Sequence, residues 1–125
     1  MQISEVAKKF GMTPDTLRYY EKEELIGPIE KGKNGIRNYT EKDMQRIQFV
    51  KCMRAAGLEI SFLKRYIKLL DEGDNTIKER KEILVEKRRI LKEKLDAMQE
   101  AYDKLNMKID LCDKFSLRSS GRENK

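Results

Sequence analysis

Residues 10–21, Phe10-Gly11-Met12-Thr13-Pro14-Asp15-Thr16-Leu17-Arg18-Tyr19-Tyr20-Glu21, read as the end of one helix, a turn and the start of another. Upstream, Ile3, Val6, Ala7 and Phe10 recur at helical spacing, and Gly11 follows as a stop signal. Thr13 offers an N-cap hydroxyl, and Pro14 takes the first helical position, where its missing N–H leaves no helix bond unmade. Leu17, Tyr20 and Glu21 carry a second helix that ends before Gly27-Pro28. Two short helices joined at Gly11-Met12-Thr13 have the shape of a helix-turn-helix. By itself the pattern is weak, since many helical domains pair short helices.

Beyond Gly27-Pro28 the chain changes character. Lys31, Gly32, Lys33, Asn34 and Gly35 are turn formers and bases, flanked by Ile29 on one side and Ile36, Arg37 and Tyr39 on the other. Asn34-Gly35 is a strong hairpin signal, so residues 29–39 predict a small two-stranded wing with a basic tip. Thr40 and Asp43 resemble a capping box with Asp in place of Glu. Met44, Ile47, Val50 and Met53 then mark the buried stripe of a third helix, stopped by Gly57. A fourth helix is expected from about Ile60 to Leu70, with Leu63, Ile67 and Leu70 inward.

Asp71-Glu72-Gly73-Asp74-Asn75-Thr76 breaks the helical pattern, and Thr76 with Glu79 reads as the capping box of a long fifth helix. From Leu91 the apolar-type positions are Leu91, Leu95, Met98, Tyr102, Leu105, Ile109 and Cys112, in steps of four and three. That is the coiled-coil rule. Counting back by sevens adds Leu84 and Ile77, with Arg88 and Lys81 spoiling the seam at that end. A helix over 76–112 would span roughly 55 Å at about 1.5 Å per residue. Such a stripe cannot be covered by a head of this size, so a second copy is the economical partner. The expected organisation is a head over 1–72, a dimerising helix over 73–115 and a Ser-, Gly- and charge-rich tail over 116–125 without fixed structure.

Composition limits the function. Of the formal charge of +6, residues 1–70 carry 14 Lys and Arg against 9 Asp and Glu, whereas residues 71–125 carry 14 against 13. The basic excess therefore sits on the head module, as phosphate binding requires. There is no histidine, which excludes a Ser-His-Asp triad and a histidine-based zinc site. Two cysteines, Cys52 and Cys112, do not make a disulfide framework. No apolar run suggests a membrane span or a signal peptide. The expectation is a non-enzymatic cytoplasmic protein with reduced thiols, no cofactor and no bound metal.

Four blocks in this order, Thr16-Leu17-Arg18-Tyr19-Tyr20-Glu21, Leu25-Ile26-Gly27-Pro28, Gly35-Ile36-Arg37-Asn38-Tyr39 and Arg54-Ala55-Ala56-Gly57-Leu58, resemble the MerR family of bacterial regulators. The resemblance covers residues 1 to about 70, and the long helix matches in kind. Glu59 stands where the family often has a capping Ser, and Ile36 where it often has Tyr. The resemblance implies a mainly α fold: a winged helix-turn-helix head, and a long C-terminal helix forming an antiparallel coiled-coil dimer. It implies double-stranded promoter DNA as partner, with RNA polymerase as the functional beneficiary of a distorted promoter spacer. Arg18, Tyr19, Tyr20, Arg37 and Tyr39 match family DNA contacts; Thr13, Thr16 and Lys33 join them as candidates by position. The chemistry agrees, since a guanidinium can pair with phosphate or guanine and a phenol can donate to phosphate oxygen. Tyr20 falls on the Leu17 side, where it can serve the core instead. The dimer seam is expected at Leu84, Leu91, Leu95, Met98, Tyr102, Leu105, Ile109 and Cys112.

Metal-sensing members carry paired cysteines near the end of the long helix, whereas Cys112 stands alone. Cys52 lies beside Lys51 and near Arg54, and basic neighbours raise the thiolate fraction. Single-cysteine members with a Cys at this position, and with a break like Gly73-Asp74-Asn75-Thr76, are associated with aldehydes, other electrophiles or nitrosative stress. The resemblance thus implies Cys52 as sensor thiol. The alternatives are an effector-independent architectural DNA-binding protein and a metal-responsive regulator.

Overall fold

The computed structural model describes residues 1–123, with side chains as far as residue 117. Its elements are α1 (Ile3–Phe10), α2 (Pro14–Lys22), β1 (Glu30–Lys31), β2 (Arg37–Asn38), α3 (Glu41–Ala55), α4 (Ile60–Glu72), a 3-10 turn (Asp74–Thr76) and α5 (Ile77–Glu123). They fall into two compact units, Met1–Ile83 and Leu84–Lys125.

Local chemistry sets the ends of the first helices. Gly11, at φ 63°, closes α1 by donating its N–H to the Ala7 and Lys8 carbonyls, a left-handed cap that a side chain would strain. The ammonium of Lys51 on α3 donates to the Phe10 carbonyl, satisfying another C-terminal group of α1. Thr13 Oγ1 accepts from Thr16 N at 3.1 Å and starts α2. At α3 the expected reciprocal box forms: Asp43 N donates to Thr40 Oγ1 at 3.2 Å, and Thr40 N to Asp43 Oδ2 at 2.9 Å. At α4, Glu59 makes no side-chain cap bond, in keeping with the weak cap its sequence implies.

These ends aim one apolar face of each helix inward. The core of the first unit joins Val6, Ala7 and Phe10 of α1 to Leu17 and Tyr20 of α2, Met44, Ile47 and Val50 of α3, and Phe62, Leu63, Ile67 and Leu69 of α4. Leu25, Ile26, Ile29 and Tyr39 close it from the linker and the wing. Each such side chain contributes roughly 1.5–3 kcal/mol by burial, so an unmatched truncation such as Leu63→Ala would be felt throughout the unit. Between α3 and α4, Phe49 stacks on Tyr66 with ring centroids 5.3 Å apart. Arg46 of α3, almost fully buried, also holds Asp71 of α4 with both terminal nitrogens.

The wing is a two-stranded antiparallel ribbon with Glu30 opposite Asn38 and Lys31 opposite Arg37. Gly35 N donates to the Gly32 carbonyl at 2.9 Å, and Gly32 N to the Ile36 carbonyl at 2.8 Å. Gly35 has φ 75°, which explains why the Asn34-Gly35 signal is met with glycine.

The junction after α4 differs from its expected form. Thr76 and Glu79 do not make a capping box. Thr76 is buried, and its hydroxyl lies 2.6 Å from the Leu69 carbonyl and 2.7 Å from that of Gly73, while Arg80 Nε donates to it at 2.9 Å. Glu79 instead pairs with Arg65 at 3.5 Å. A buried hydroxyl takes the nearest carbonyl that would otherwise lack a donor, and that outweighs a local cap. The first turns of α5, as far as Ile83, lie in the same compact unit as the head helices.

In the second unit α5 continues through the expected 116–125 tail as far as Glu123, and the last two residues lie outside the described ones. Once a helix is nucleated, each added residue gains a bond, so a polar end extends it readily. Arg89 pairs with Glu86 at 2.7 Å and Glu93 at 2.8 Å, Lys92 with Asp96 at 2.8 Å, and Lys104 with Glu100 at 3.2 Å. Such neighbours one turn apart add about 0.2–0.5 kcal/mol each to helix stability. Among the described residues, no helix is long and apolar enough to cross a membrane.

Candidate nucleic-acid interface

Helix α2 begins at Thr13 and Pro14, so its first turns present Thr13, Thr16, Arg18 and Tyr19. Thr13 Oγ1 and Thr16 Oγ1 lie 2.9 Å apart, forming a hydroxyl pair at the helix N-terminus. Arg18 Nη1 donates to Asp15 Oδ1 at 2.8 Å in a pair open to water. An exposed pair of this kind is worth only about 0–1 kcal/mol, so Arg18 is readily exchanged to another anion. Tyr19 is 46% exposed, and its ring stands 6.2 Å from that of Tyr20. Lys33 is exposed on the wing turn, and Arg37 is half-buried on β2.

Two expected contacts sit deeper. Tyr20 and Tyr39 are buried in the core, Tyr39 with only 4% exposure and its hydroxyl closed off without a hydrogen-bond partner. Burial first, and then the Glu21 carboxylate, push the Tyr39 phenol above its ordinary pKa, while Arg37 pulls it the other way. Tyr20 is buried with its ring 6.2 Å from that of Tyr19, and Tyr39 is buried just after β2.

Glu21 was read only as part of the second helix and its motif, not as a site residue. Its Oε2 stands 3.1 Å from Arg37 Nε, joining α2 to β2. No local spacing signals a pair 16 positions apart, because the wing must fold back before the two meet. By contrast, the Asp15–Arg18 pair was visible in principle as an i, i+3 spacing. Lys51 was read only as a basic neighbour of Cys52, and its bond to Phe10 is hidden for the same reason as the Glu21 pair, since the partner carbonyl lies 41 residues away.

The cysteines are both exposed and free. Lys51 points at the Phe10 carbonyl, and Arg54 Nη1 donates to the Leu58 carbonyl at 2.9 Å. The two cations expected beside Cys52 are therefore held by backbone oxygens. Among the described residues no group of three or more Cys, Asp or Glu side chains is placed to hold a metal ion.

On α5 the expected seam is open in the single chain. Leu95 is 56% exposed and Met98 68%, and Tyr102, Leu105, Ile109 and Cys112 are exposed with them. Leu91 is half-covered, and Leu84 lies near the border between the two classes. Met107, Leu111 and Phe115 are further exposed apolar residues of the same helix, off the four-and-three spacing of that row.

A helix-turn-helix with a basic two-stranded wing, presenting bases and a phenol beside a hydroxyl-lined helix N-terminus, defines a winged DNA-binding head. The description "MerR HTH family regulatory protein" matches residues 1–70, and "MerR, DNA binding" matches residues 44–107. The chain belongs to the MerR family of DNA-binding transcriptional regulators. It is 52% identical over 84 residues to the HTH-type transcriptional regulator AdhR of Bacillus subtilis (strain 168), an overlap of 67% of this chain and 60% of AdhR. It is 34% identical over 84 residues to ZntR of Escherichia coli (strain K12), covering 66% and 60%. The chain thus matches less than two thirds of the length of these relatives. A putative MerR family regulator from Listeria monocytogenes superposes with TM-score 0.85 at 37% identity, over 100% of this chain and 99% of that one. HiNmlR, a MerR family regulator lacking the sensor domain and bound to promoter DNA, superposes with TM-score 0.78 at 28% identity, covering 86% of each chain.

Proposed function

We propose that the protein acts as a homodimer on promoter DNA, with α2 and the wing of each head on one duplex, and that it regulates transcription by distorting that duplex. The carrying observation is the exposed row Leu95, Met98, Tyr102, Leu105 and Ile109 on α5, together with the solvent exposure of Arg18, Tyr19 and Lys33 on the head. Contiguous exposed apolar surface marks an interaction site, and a heptad-spaced row is matched by another helix of the same kind. Two heads held by one pair of helices would read two half-sites a whole number of turns apart. That a relative was crystallised on promoter DNA supports the same placement.

Thr13, Thr16 and Lys33 supply phosphate contacts in this reading, and Arg18, Tyr19 and Arg37 complete the grip. Distorting a site of this size costs of order 1–6 kcal/mol on the elastic scale, which the added contacts must offset. The distorted spacer brings the two promoter elements within reach of RNA polymerase. The reaction partner of Cys52 is proposed as an aldehyde or another electrophile, on the strength of its exposure and the single-cysteine resemblance. Its two basic neighbours are engaged elsewhere, so its reactivity would rest on access more than on local charge.

Sedimentation equilibrium with footprinting tests the assembly. A dimer protecting two half-sites is expected, with Leu95→Glu and Leu105→Glu giving monomers that bind weakly. A wild-type monomer that footprints equally well would overturn it. For the effector, Cys52→Ser should abolish the promoter response to an added aldehyde. A full response in that variant would remove Cys52 from the mechanism and leave an effector-independent architectural role.

A further inference from the structure

The polar cluster between α2 and the wing is not explained by DNA contact alone. Glu21 Oε2 stands 3.1 Å from Arg37 Nε, with 22% and 35% of the two side chains exposed. The Nε atom is closed off from solvent, yet its N–H is not aligned on any acceptor, and the Tyr39 hydroxyl is closed off in the same way. Buried polar hydrogens nearly always find partners, and those that do not call for an explanation. The Glu21 carboxylate is ion-paired with Arg37, and after burial it is the strongest influence raising the Tyr39 phenol.

Non-specific attraction to a duplex comes almost wholly from net positive charge and the counterions it displaces. An arginine already neutralised by a carboxylate 3.1 Å away contributes little to that attraction. It can still donate its terminal nitrogens to a phosphate that arrives in the right place, where geometry instead of net charge decides the contact. Asp15 does not play this part for Arg18, because that pair lies open to water and is screened.

We propose that Glu21 is the specificity-determining positioning residue of the head: it cancels the charge of Arg37 toward arbitrary DNA and holds its guanidinium so that the wing engages only a duplex that also fits α2. The proposal rests on the reading that α2 and the wing meet the same duplex. Glu21 itself touches no phosphate; it acts through Arg37.

The test uses the full chain and its Glu21→Gln, Glu21→Asp, Arg37→Gln and Glu21→Gln/Arg37→Gln variants, each checked for folding by its melting curve. Two probes serve: a mixed-sequence duplex, and the duplex that the wild-type protein selects from a randomised pool. Glu21→Gln is expected to bind the mixed-sequence duplex several-fold more tightly. Its salt dependence should steepen by up to about 0.9 unit of slope, the share of one phosphate contact. The preference for the selected duplex should shrink by at least the same factor. Glu21→Asp keeps the charge but not the reach, so it should leave mixed-sequence binding low while losing preference. In the Arg37→Gln background the Glu21 effect should vanish. An unchanged preference in Glu21→Gln, or an effect that survives in that background, overturns the proposal while leaving the wing on DNA. If Arg37→Gln alters binding to neither probe, the wing contact itself is refuted and the proposal falls with it.

Discussion

Arg80 reaches back one turn of α5 to donate its Nε–H to the Thr76 hydroxyl at 2.9 Å, and that hydroxyl lies 2.6 Å from the carbonyl of Leu69 on α4. A side chain of two carbons and one hydroxyl thus serves two helices at once. Thr76→Val keeps the shape and removes the hydroxyl, leaving a buried carbonyl and a guanidinium N–H without their partner. The expected loss is about 1–3 kcal/mol in urea unfolding. A variant that unfolds at the wild-type midpoint would show the knot to be without weight.

Asp71 compensates the buried guanidinium of Arg46 across α3 and α4. Asp71→Asn leaves that cation with little compensation, and the head unit should lose about 2 kcal/mol, less than a fully buried pair because Asp71 is half in water. Replacing both residues, as Arg46→Met/Asp71→Asn, should recover part of the loss. Equal destabilisation in the double variant would refute the pairing as the cause.

Tyr39 gives the head an alkaline limit. Its pKa is raised in the fold above the ordinary 10.0, so the folded state keeps a proton that the unfolded chain gives up first. Stability is intact below that ordinary value and falls as pH rises through it toward the folded value. Tyr39→Phe removes this contribution. Its unfolding free energy should match or slightly exceed wild type at neutral pH and decline less steeply above about pH 10. Parallel curves for the two proteins would contradict the sealed phenol.

Glu24 holds a left-handed backbone, φ 60°, just after α2, where Leu25 N reaches back to the Tyr20 carbonyl at 2.9 Å. A side chain there costs roughly 1–2 kcal/mol relative to right-handed backbone, and glycine avoids most of it. Glu24→Gly is expected to raise stability by about 1 kcal/mol in thermal unfolding, net of the glycine's added freedom in the unfolded chain. A lower melting temperature would mean that the carboxylate is doing something the backbone argument omits.

What could be read directly from the residues was local. Gly11 as a stop, Thr13 with Pro14 as a start, the Thr40–Asp43 box and the Asn34-Gly35 turn each depend on neighbours within four or five positions, and each is present. The apolar stripe of α3 at Met44, Ile47 and Val50 followed from periodicity alone. The hidden part was long-range or competitive. Glu21–Arg37, Arg46–Asp71 and Lys51 on Phe10 depend on which helices meet, and no spacing rule encodes that. Thr76 was misread because two good uses of one hydroxyl competed, and burial favoured the carbonyl of Leu69. Tyr20 and Tyr39 carry both an apolar ring and a polar tip, so their placement was open until the core was built around them.

The uncovered row of Leu95, Met98, Tyr102, Leu105 and Ile109 has a practical corollary for handling the molecule. A solitary copy in dilute buffer is greasy along one edge: it will adsorb to plastic, take up hydrophobic dyes and offer protease-sensitive bonds where the helix frays. Losses during purification should therefore be worst at the weakest concentrations, and stocks should be kept strong.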